Sequence, residues 1–330
     1  MKQTTFKAWV VRKDDTDFSR AIETRTITDL PEGDVLVKVT YSSLNYKDVL
    51  SATGNRGVTR RFPHTPGIDA VGIVMESTTT QVKTGDEVIV SCYDLGMNTD
   101  GGFGQFIRVP SDWIVPLPEG LSMPEAMGFG TAGFTAALSV YKLLNQGVRP
   151  EHGPILVTGA SGGVGSVAVA ILAKEGFEVV AASGKKGSAY LLSIGATEVI
   201  GRESVNNGVG KALLRPKWAG VVDTVGGNIL AYGLKTTKPC GAVTSCGNVA
   251  SGDLPITVYP FILRGISLLG IDAAECPLAL RKQIWQTIAS KWQVEHLATI
   301  TSEISMDMIG DHIDLMLAGK TTGRIIINMQ

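Results

Sequence analysis

The chain has little of what marks a specialised surface or scaffold. Its four cysteines, Cys92, Cys240, Cys246 and Cys276, include no CxxC pair. In a protein of this size they offer no disulfide framework, and all four are read as reduced thiols. Basic and acidic residues, 30 and 31, nearly cancel to a net charge of −1, and the basic ones are not gathered into blocks. The electrostatic footprint of a nucleic-acid or membrane-surface binder is therefore missing. Long apolar runs are absent too: the longest, around Ala168 to Ala173, is far short of the ~20 residues of a membrane helix. The opening "MKQTTFKAWVVRKDD" carries no apolar signal-peptide core, and no internal repeat or low-complexity segment stands out. A cytoplasmic globular protein of about two domains, with no nucleic-acid or membrane partner, is the expectation for 330 residues of which 44% are hydrophobic.

What is present changes character a third of the way along. Up to about Gly120 the chain consists of short apolar runs punctuated by turns, such as "DVLVKVTY", "DAVGIVME", "TGDEVIVSC" and "DWIVPLPEG". This spacing predicts a mainly β domain. From Pro154 to about Asp272 the pattern becomes strand, turn, helix, repeated, with "PILVTG", "EVVAAS", "TEVIG", "GVVDTVG", "GAVTSCG" and "ISLLGID" as strands. That is the signature of a doubly wound parallel sheet. The tail offers an amphipathic helix in "LRKQIWQTIASKWQ", a second helix, and a closing strand in "GRIIINMQ" that can pair back into the first domain.

The turn "VTGASGGVGS" is a dinucleotide signature. Its glycines let the backbone approach a pyrophosphate, and the N–H groups opening the following helix, at Gly162, Gly163, Val164 and Gly165, point at the anion. Read as GxGxxG the turn is imperfect, with Ala160 first. Read as TGxxxGxG, the short-chain dehydrogenase form, Thr158, Gly159, Gly163 and Gly165 all match. Position argues the other way. Short-chain enzymes open with this turn, whereas here about 150 residues precede it, and none of the seven tyrosines has the lysine four positions later that a YxxxK motif needs.

Read together, "SSLNYKDVLSATG", "FPHTPGIDAVG", "GTAGFTAAL", "VTGASGGVG", "DTVGG" and "PFILRGISLLGID" resemble the zinc-free quinone oxidoreductase branch of the medium-chain dehydrogenase/reductase superfamily, in particular the YhdH/YhfP group with its acrylyl-CoA reductases. The likeness runs from about Leu36 to Arg324. It implies an α/β architecture: a GroES-like β-rich catalytic domain over 1–125 with 296–330, and a doubly wound Rossmann NADP-binding domain over 126–295. It also implies a homodimer reducing an activated C=C or a quinone by hydride transfer without metal. Where zinc enzymes of the superfamily carry a GHE motif, this chain has Pro66-Gly67-Ile68-Asp69, and Cys92 is the only cysteine of the first domain. His64 is read as a loop or pocket-rim residue. Two other readings stand beside this one: a short-chain-like carbonyl or alcohol oxidoreductase, and an NADPH-binding protein with little catalysis.

Charge selects the cofactor. NAD enzymes end the second Rossmann strand in a carboxylate for the ribose hydroxyls. Here "EVVAASGKKG" ends in Ser183, Gly184, Lys185 and Lys186, so NADPH is expected, with the lysines near its 2′-phosphate unless they are simply solvated. By resemblance Arg202 joins that phosphate site, and Thr131, Gly247 and Asn248 lie along the cofactor. Arg324 either reaches the cofactor or forms a surface salt bridge, and Asp223 either caps a turn or touches the ligand. For catalysis "NYKD" supplies Asn45 and Tyr46 as donors to a developing oxyanion, with Tyr46 as donor or cofactor contact first, and Asp48 as orienter or relay. The same four residues also read as a capped helix entry, Asn45 at the N-cap and Asp48 in the first turn. Arg56, Arg60 and Arg61 are either a solvated loop or a hold on an anionic substrate such as a CoA phosphate.

Overall fold

The β-branched runs of the first third form strands whose inward residues, among them Val37, Val39, Val74, Val88, Val90 and Ile107, make one apolar core. In the computed structural model, which describes residues 4–15, 17–185, 188–208 and 210–330, the chain divides into two compact units. The first is Met1–Thr131 with Ala274–Ser290 and Thr301–Gln330; the second is Ala132–Ala273 with Lys291–Ile300.

In the first unit a seven-stranded sheet runs in the order Thr301–Ser305, Arg324–Asn328, Val35–Leu44, Asp69–Ser77, Glu87–Ser91, Ile114–Pro116, with Phe106–Val109 also paired to Val35–Leu44. A separate hairpin joins Thr5–Asp14 to Asp17–Thr26. The closing strand does return: Ile325 lies opposite Leu44 and Ile327 opposite Ser42 in an antiparallel ladder. The helix Leu278–Ala289 clusters with this unit, whereas a sequence boundary at 296 puts it with the second. Its fully buried Arg281 is the reason. The guanidinium donates to the backbone oxygen and hydroxyl of Ser91, at 3.1 and 3.2 Å, and to the Ala274 oxygen at 3.1 Å, and it stacks 4.5 Å from the centre of the Tyr93 ring. A buried guanidinium must find such acceptors where they exist.

Two helices of the first unit matter below. Helix α1 is Tyr46–Ala52. Helix α2, Met123–Asn145, begins in the first unit, and its helical geometry is broken at Gly130, with φ 50° and ψ −157°. Side-chain-bearing residues rarely hold that conformation.

The second unit is built on six parallel strands in the spatial order Glu198–Gly201, Val179–Ser183, Ile155–Thr158, Trp218–Asp223, Thr237–Ser245, Ser267–Gly270. Numbered along the chain that is 3-2-1-4-5-6, the doubly wound order, whose direction reverses between Ile155–Thr158 and Trp218–Asp223. Leu156, Val180, Val221 and Val243 form its core. Helix α3, Gly163–Lys174, follows the glycine turn and is buried from Gly165 to Leu172. Among the described residues no helix is long and apolar enough to cross a membrane.

Candidate functional site

In the second unit, the strands at the reversal end in Thr158 and Asp223. The buried Asp223 carboxylate accepts the Thr158 hydroxyl at 2.7 Å and the backbone N–H groups of Val225 and Gly226 at 3.2 and 2.8 Å. Burial pushes this carboxyl up, against the pull of those donors. Of its two expected roles the structure assigns turn capping, since its oxygens are occupied.

Two glycines set the turn. Gly159 holds φ 59°, and a Cβ on it would sit 2.3 Å from the Thr224 hydroxyl oxygen; a Cβ on Gly165 would sit 2.4 Å from the Gly159 carbonyl. Both belong to the TGxxxGxG spelling, which is why that spelling fits while buried Ala160 is tolerated. Gly162 is the N-cap of α3, its carbonyl accepting the Ser166 N–H at 2.9 Å. The N–H groups of Gly163, Val164 and Gly165 thus open a 12-residue helix with no intrahelical acceptor, a ready cradle for a diphosphate.

The next strand delivers the ribose end. Ser183 donates to the Ser161 hydroxyl at 3.0 Å and accepts the Lys185 N–H at 3.1 Å, tying the strand end to the glycine turn. The Arg202 guanidinium lies over Gly184: a Cβ there would be 3.0 Å from Arg202 Cζ. Its contact with Glu203 is 4.0 Å between two exposed side chains, too loose to hold it. Lys185 is exposed, its ammonium pushed down by partial burial; Lys186 lies outside the described residues. A cation therefore stands where an NAD-selecting carboxylate would. After Thr237–Ser245, the Cys246 N–H bonds to the Asp223 carbonyl at 3.1 Å, and Gly247 passes so close to Thr224 that a Cβ would meet its carbonyl at 2.3 Å. Asn248 follows, exposed, at the same end of the sheet.

In the first unit the chemistry gathers on a buried residue that sequence reasoning used only as a missing zinc motif. Asp69 is fully buried. One carboxylate oxygen accepts the Thr131 hydroxyl at 2.6 Å; the other accepts the Ser43 hydroxyl at 2.6 Å, the Asn45 amide at 2.8 Å and the Thr131 N–H at 2.8 Å. Arg324, 2% exposed, donates to the Gly128 carbonyl (3.0 Å), the Asn45 side-chain oxygen (3.1 Å) and Ser43 Oγ (2.8 Å), and lies 3.9 Å from Asp69. Burial pushes its pKa down, and Asp69 and Asp48 oppose the shift. Gly130 closes the cluster: a Cβ there would lie 2.6 Å from both Arg324 Nη2 and the Asp69 carboxylate. The helical break thus lets the backbone lie directly on the ion pair.

The "NYKD" segment reads onto this network. Asn45 caps α1, and its own N–H is accepted by Asp48 at 2.8 Å in a capping box. The other Asp48 oxygen takes the N–H groups of Gly67 and Ile68 at 3.1 and 2.8 Å. Burial pushes the Asp48 carboxyl up to about 7. The segment answers its helix-entry reading: Asn45 caps α1 and Asp48 takes the orienting role expected for it, both buried with their polar atoms engaged by protein partners. Arg324 is no surface salt bridge, and its donors face inward onto protein acceptors rather than outward to a cofactor. The Thr131 hydroxyl is likewise turned onto Asp69. Tyr46, 48% exposed, is the member of the trio that reaches outward.

Two family models match the chain: the alcohol dehydrogenase GroES-like domain over residues 31–119 and the zinc-binding dehydrogenase over residues 163–290. Among relatives, the putative quinone oxidoreductase YhfP of Bacillus subtilis is 45% identical over 328 residues, 99% of both chains. Its structure with NAD bound aligns at a TM-score of 0.96, over 98% of this chain and 99% of that one. The acrylyl-CoA reductase AcuI of Ruegeria pomeroyi is 44% identical over 98% of this chain and 99% of its own. The yhdH oxidoreductase of Salmonella enterica, solved with NADP, is 38% identical with a TM-score of 0.96 over 98% and 100% of the two chains. The short-chain alternative is thereby set aside.

The residues do not fit the zinc of the second model's name. Among the described residues no three His, Cys, Asp or Glu side chains gather where a metal ion could bind. The Asp69 oxygens are occupied by donors, and burial pushes the Cys92 thiol up, 3.1 Å from the Thr131 hydroxyl. His64 is turned to the Gly96 carbonyl at 2.9 Å. Replacing Asp69 with Asn leaves Arg324 without its counter-charge and sets an amide N–H₂ against hydroxyl and amide donors. Asp69→Asn is expected to lower unfolding free energy by about 3 to 5 kcal/mol, measured by denaturant titration; a loss below about 1 kcal/mol would show that the network does not depend on this charge.

Proposed function

The chain belongs to the medium-chain dehydrogenase and quinone oxidoreductase family, and we propose that it is an NADPH-dependent reductase of small α,β-unsaturated acyl thioesters such as acrylyl-CoA. The observation that carries the cofactor choice is Arg202 lying over Gly184, just past the strand Val179–Ser183, which ends in a serine rather than a carboxylate. The thioester is favoured by the 44% identity, across nearly the whole chain, to an acrylyl-CoA reductase. Quinones stand as the second acceptor class, after the name of the 45% relative.

NADPH when bound supplies the hydride. The chain's own residues do the rest. The N–H groups of Gly163, Val164 and Gly165 hold the diphosphate at the positive end of α3. Arg202, with Lys185, holds the 2′-phosphate over the strand end that Ser183 ties to the glycine turn; a guanidinium matches its oxygens in paired hydrogen bonds. Gly247 and Asn248 flank the cofactor at the carboxyl ends of the strands. Hydride added to the β-carbon of an activated C=C leaves negative charge on the carbonyl oxygen, where a fixed donor lowers the barrier, and a proton from water then completes the reduction at the α-carbon. The exposed Tyr46 hydroxyl is that donor, on a helix whose entry Asn45 and Asp48 hold rigid.

The active molecule is a homodimer in the cytoplasm. Ser267–Gly270 is an edge strand of the six-stranded sheet. The preceding segment exposes Val258, Ile262 and Leu263 at 62%, 67% and 63%, a patch of the kind proteins cover. Four free thiols suit a reducing compartment.

Three outcomes are expected. With acrylyl-CoA as acceptor, NADPH supports faster turnover than NADH, and Arg202→Ala raises the KM for NADPH about tenfold, a loss of roughly 1.4 kcal/mol, while sparing that for NADH. Equal use of both cofactors by the native protein would overturn the phosphate assignment, and tight NADPH binding without turnover on any thioester, quinone or enone would mark a cofactor-binding protein that is not a reductase. Tyr46→Phe lowers kcat about 100-fold at unchanged NADPH affinity; an unaltered kcat removes Tyr46 from the chemistry. Ile262→Asp with Leu263→Asp converts the dimer to a monomer in sedimentation velocity, and a native protein that sediments as a monomer sinks that assembly.

A further inference from the structure

The loop that leaves α1 carries Arg56, Arg60 and Arg61, all exposed. Among the described residues none of the three forms an ion pair, whereas the other arginines of this unit are committed. Arg12 pairs with Glu23, Arg20 with Asp314, Arg25 with Asp100 and Arg108 with Glu76, while Arg324 and Arg281 are buried on acceptors. Nearby acids are also engaged: Asp94 accepts from Asn98 and Thr99, and Asp100 from Arg25 and the Thr65 N–H. Three arginines within six residues of one loop therefore have no ion-pair partner among the described residues.

The loop is not a slack, solvated segment. The buried hydroxyls of Ser51 and Thr59 meet at 2.7 Å, and the Asn55 N–H reaches the Leu50 carbonyl at 2.9 Å. The Asn55 carbonyl takes the N–H groups of Val58 and Thr59, at 2.9 and 3.0 Å, and its side chain takes the Gly57 N–H at 2.9 Å. The Arg60 N–H is held by Asn98 at 3.2 Å, and the Arg60 side chain folds back so that Nε meets the Arg56 carbonyl at 3.4 Å. Phe62 stacks edge-on against Phe18 at 5.0 Å. A loop whose backbone is already ordered spares a multiply charged anion the cost of ordering the chain, so that only the arginine side chains remain to settle on binding.

We infer that this loop is the anchor for the phosphates of a coenzyme A thioester, with Arg56, Arg60 and Arg61 as its cationic face. This rests on the thioester reading above and assigns the end of the substrate that reading leaves open. Guanidinium groups bind phosphate oxygens in paired, charge-assisted hydrogen bonds. Tyr46 begins α1 and the loop follows its last turn, a separation of roughly 10 Å for seven helical residues. A substrate with its reacting carbonyl at one end of a flexible arm and its phosphates at the other is long enough to span that separation; a quinone carries no such group.

The test compares acrylyl-CoA with the phosphate-free acrylyl-pantetheine in the native enzyme and in an Arg56→Ala, Arg60→Ala, Arg61→Ala variant whose thermal midpoint is checked first. The native enzyme is expected to favour the CoA ester in kcat/KM by tenfold or more, a preference that shrinks as salt rises. In the variant the ratio collapses towards one, through the KM for the CoA ester. An unchanged ratio overturns the inference. Calorimetric binding of free coenzyme A to both proteins separates this from the choice of acceptor. If the enzyme reduces quinones and no thioester, the thioester reading fails, and the anchor survives only if the native protein binds coenzyme A and the variant loses it; a native protein that does not bind coenzyme A ends both. Should a variant carrying three substitutions fail to fold, Arg56→Ala and Arg61→Ala made singly must each shift coenzyme A affinity, and no shift in either overturns the anchor.

Discussion

A carboxylate removed from water must be surrounded by donors or neutralised, and Asp69 is given both. Four donor groups from Ser43, Asn45 and Thr131 converge on its two oxygens, with the Arg324 guanidinium 3.9 Å away. Each partner comes from a different stretch: the end of the Val35–Leu44 strand, the entry of α1, the break in α2 and the start of the last strand. One buried charge thereby fixes four segments at once. The last strand, paired to Val35–Leu44 along its length, brings Arg324 to that charge. Without Arg324 at its head, the desolvated Asp69 would lack a positive neighbour.

The second unit solves a different problem with different means. A diphosphate needs backbone donors more than side chains, so the constraint there is closeness. Gly159, Gly165 and Gly247 each stand where a single added carbon would strike backbone or a hydroxyl within 2.4 Å. Asp223 supports them from below by holding Thr158 and the turn at Val225 and Gly226. The arginine laid over Gly184, Arg202, comes from outside that turn, just past the strand Glu198–Gly201.

Legibility in the sequence followed the range of the interactions. The alternation of strand, turn and helix exposed the doubly wound sheet, and the N-cap pairing of Asn45 with Asp48, three residues apart, was readable as a local motif. The glycine turn was readable, although its spelling pointed to another family until its position was weighed. Long-range pairings were not readable. Arg324 before an apolar strand looks like an exposed end, because the partners that justify its burial lie some 280 residues earlier at Ser43 and Asn45. Asp69 in "PGIDAVG" resembled a missing zinc ligand and nothing more. "GFGTAGF" contains three glycines, and only the Arg324 and Asp69 atoms packed against Gly130 tell which of them breaks the helix.

Stability alone does not account for the Asp69 and Arg324 pair. Desolvating two charges costs several kcal/mol each, and well-packed apolar residues of similar volume commonly match or exceed a buried pair. An apolar filling, however, has no directionality. It could not cap the helix that resumes at Thr131, orient the Asn45 amide and seat the carbonyl of Gly128 in the same few ångströms, as the present groups do. The pair is thus best understood as a geometric device. It converts an expensive burial into fixed directions for α1, and so for the exposed Tyr46 at its start. In the reduction proposed for this chain, a donor held in place before charge develops would need no reorganisation when it does, and the buried network is what would supply that rigidity.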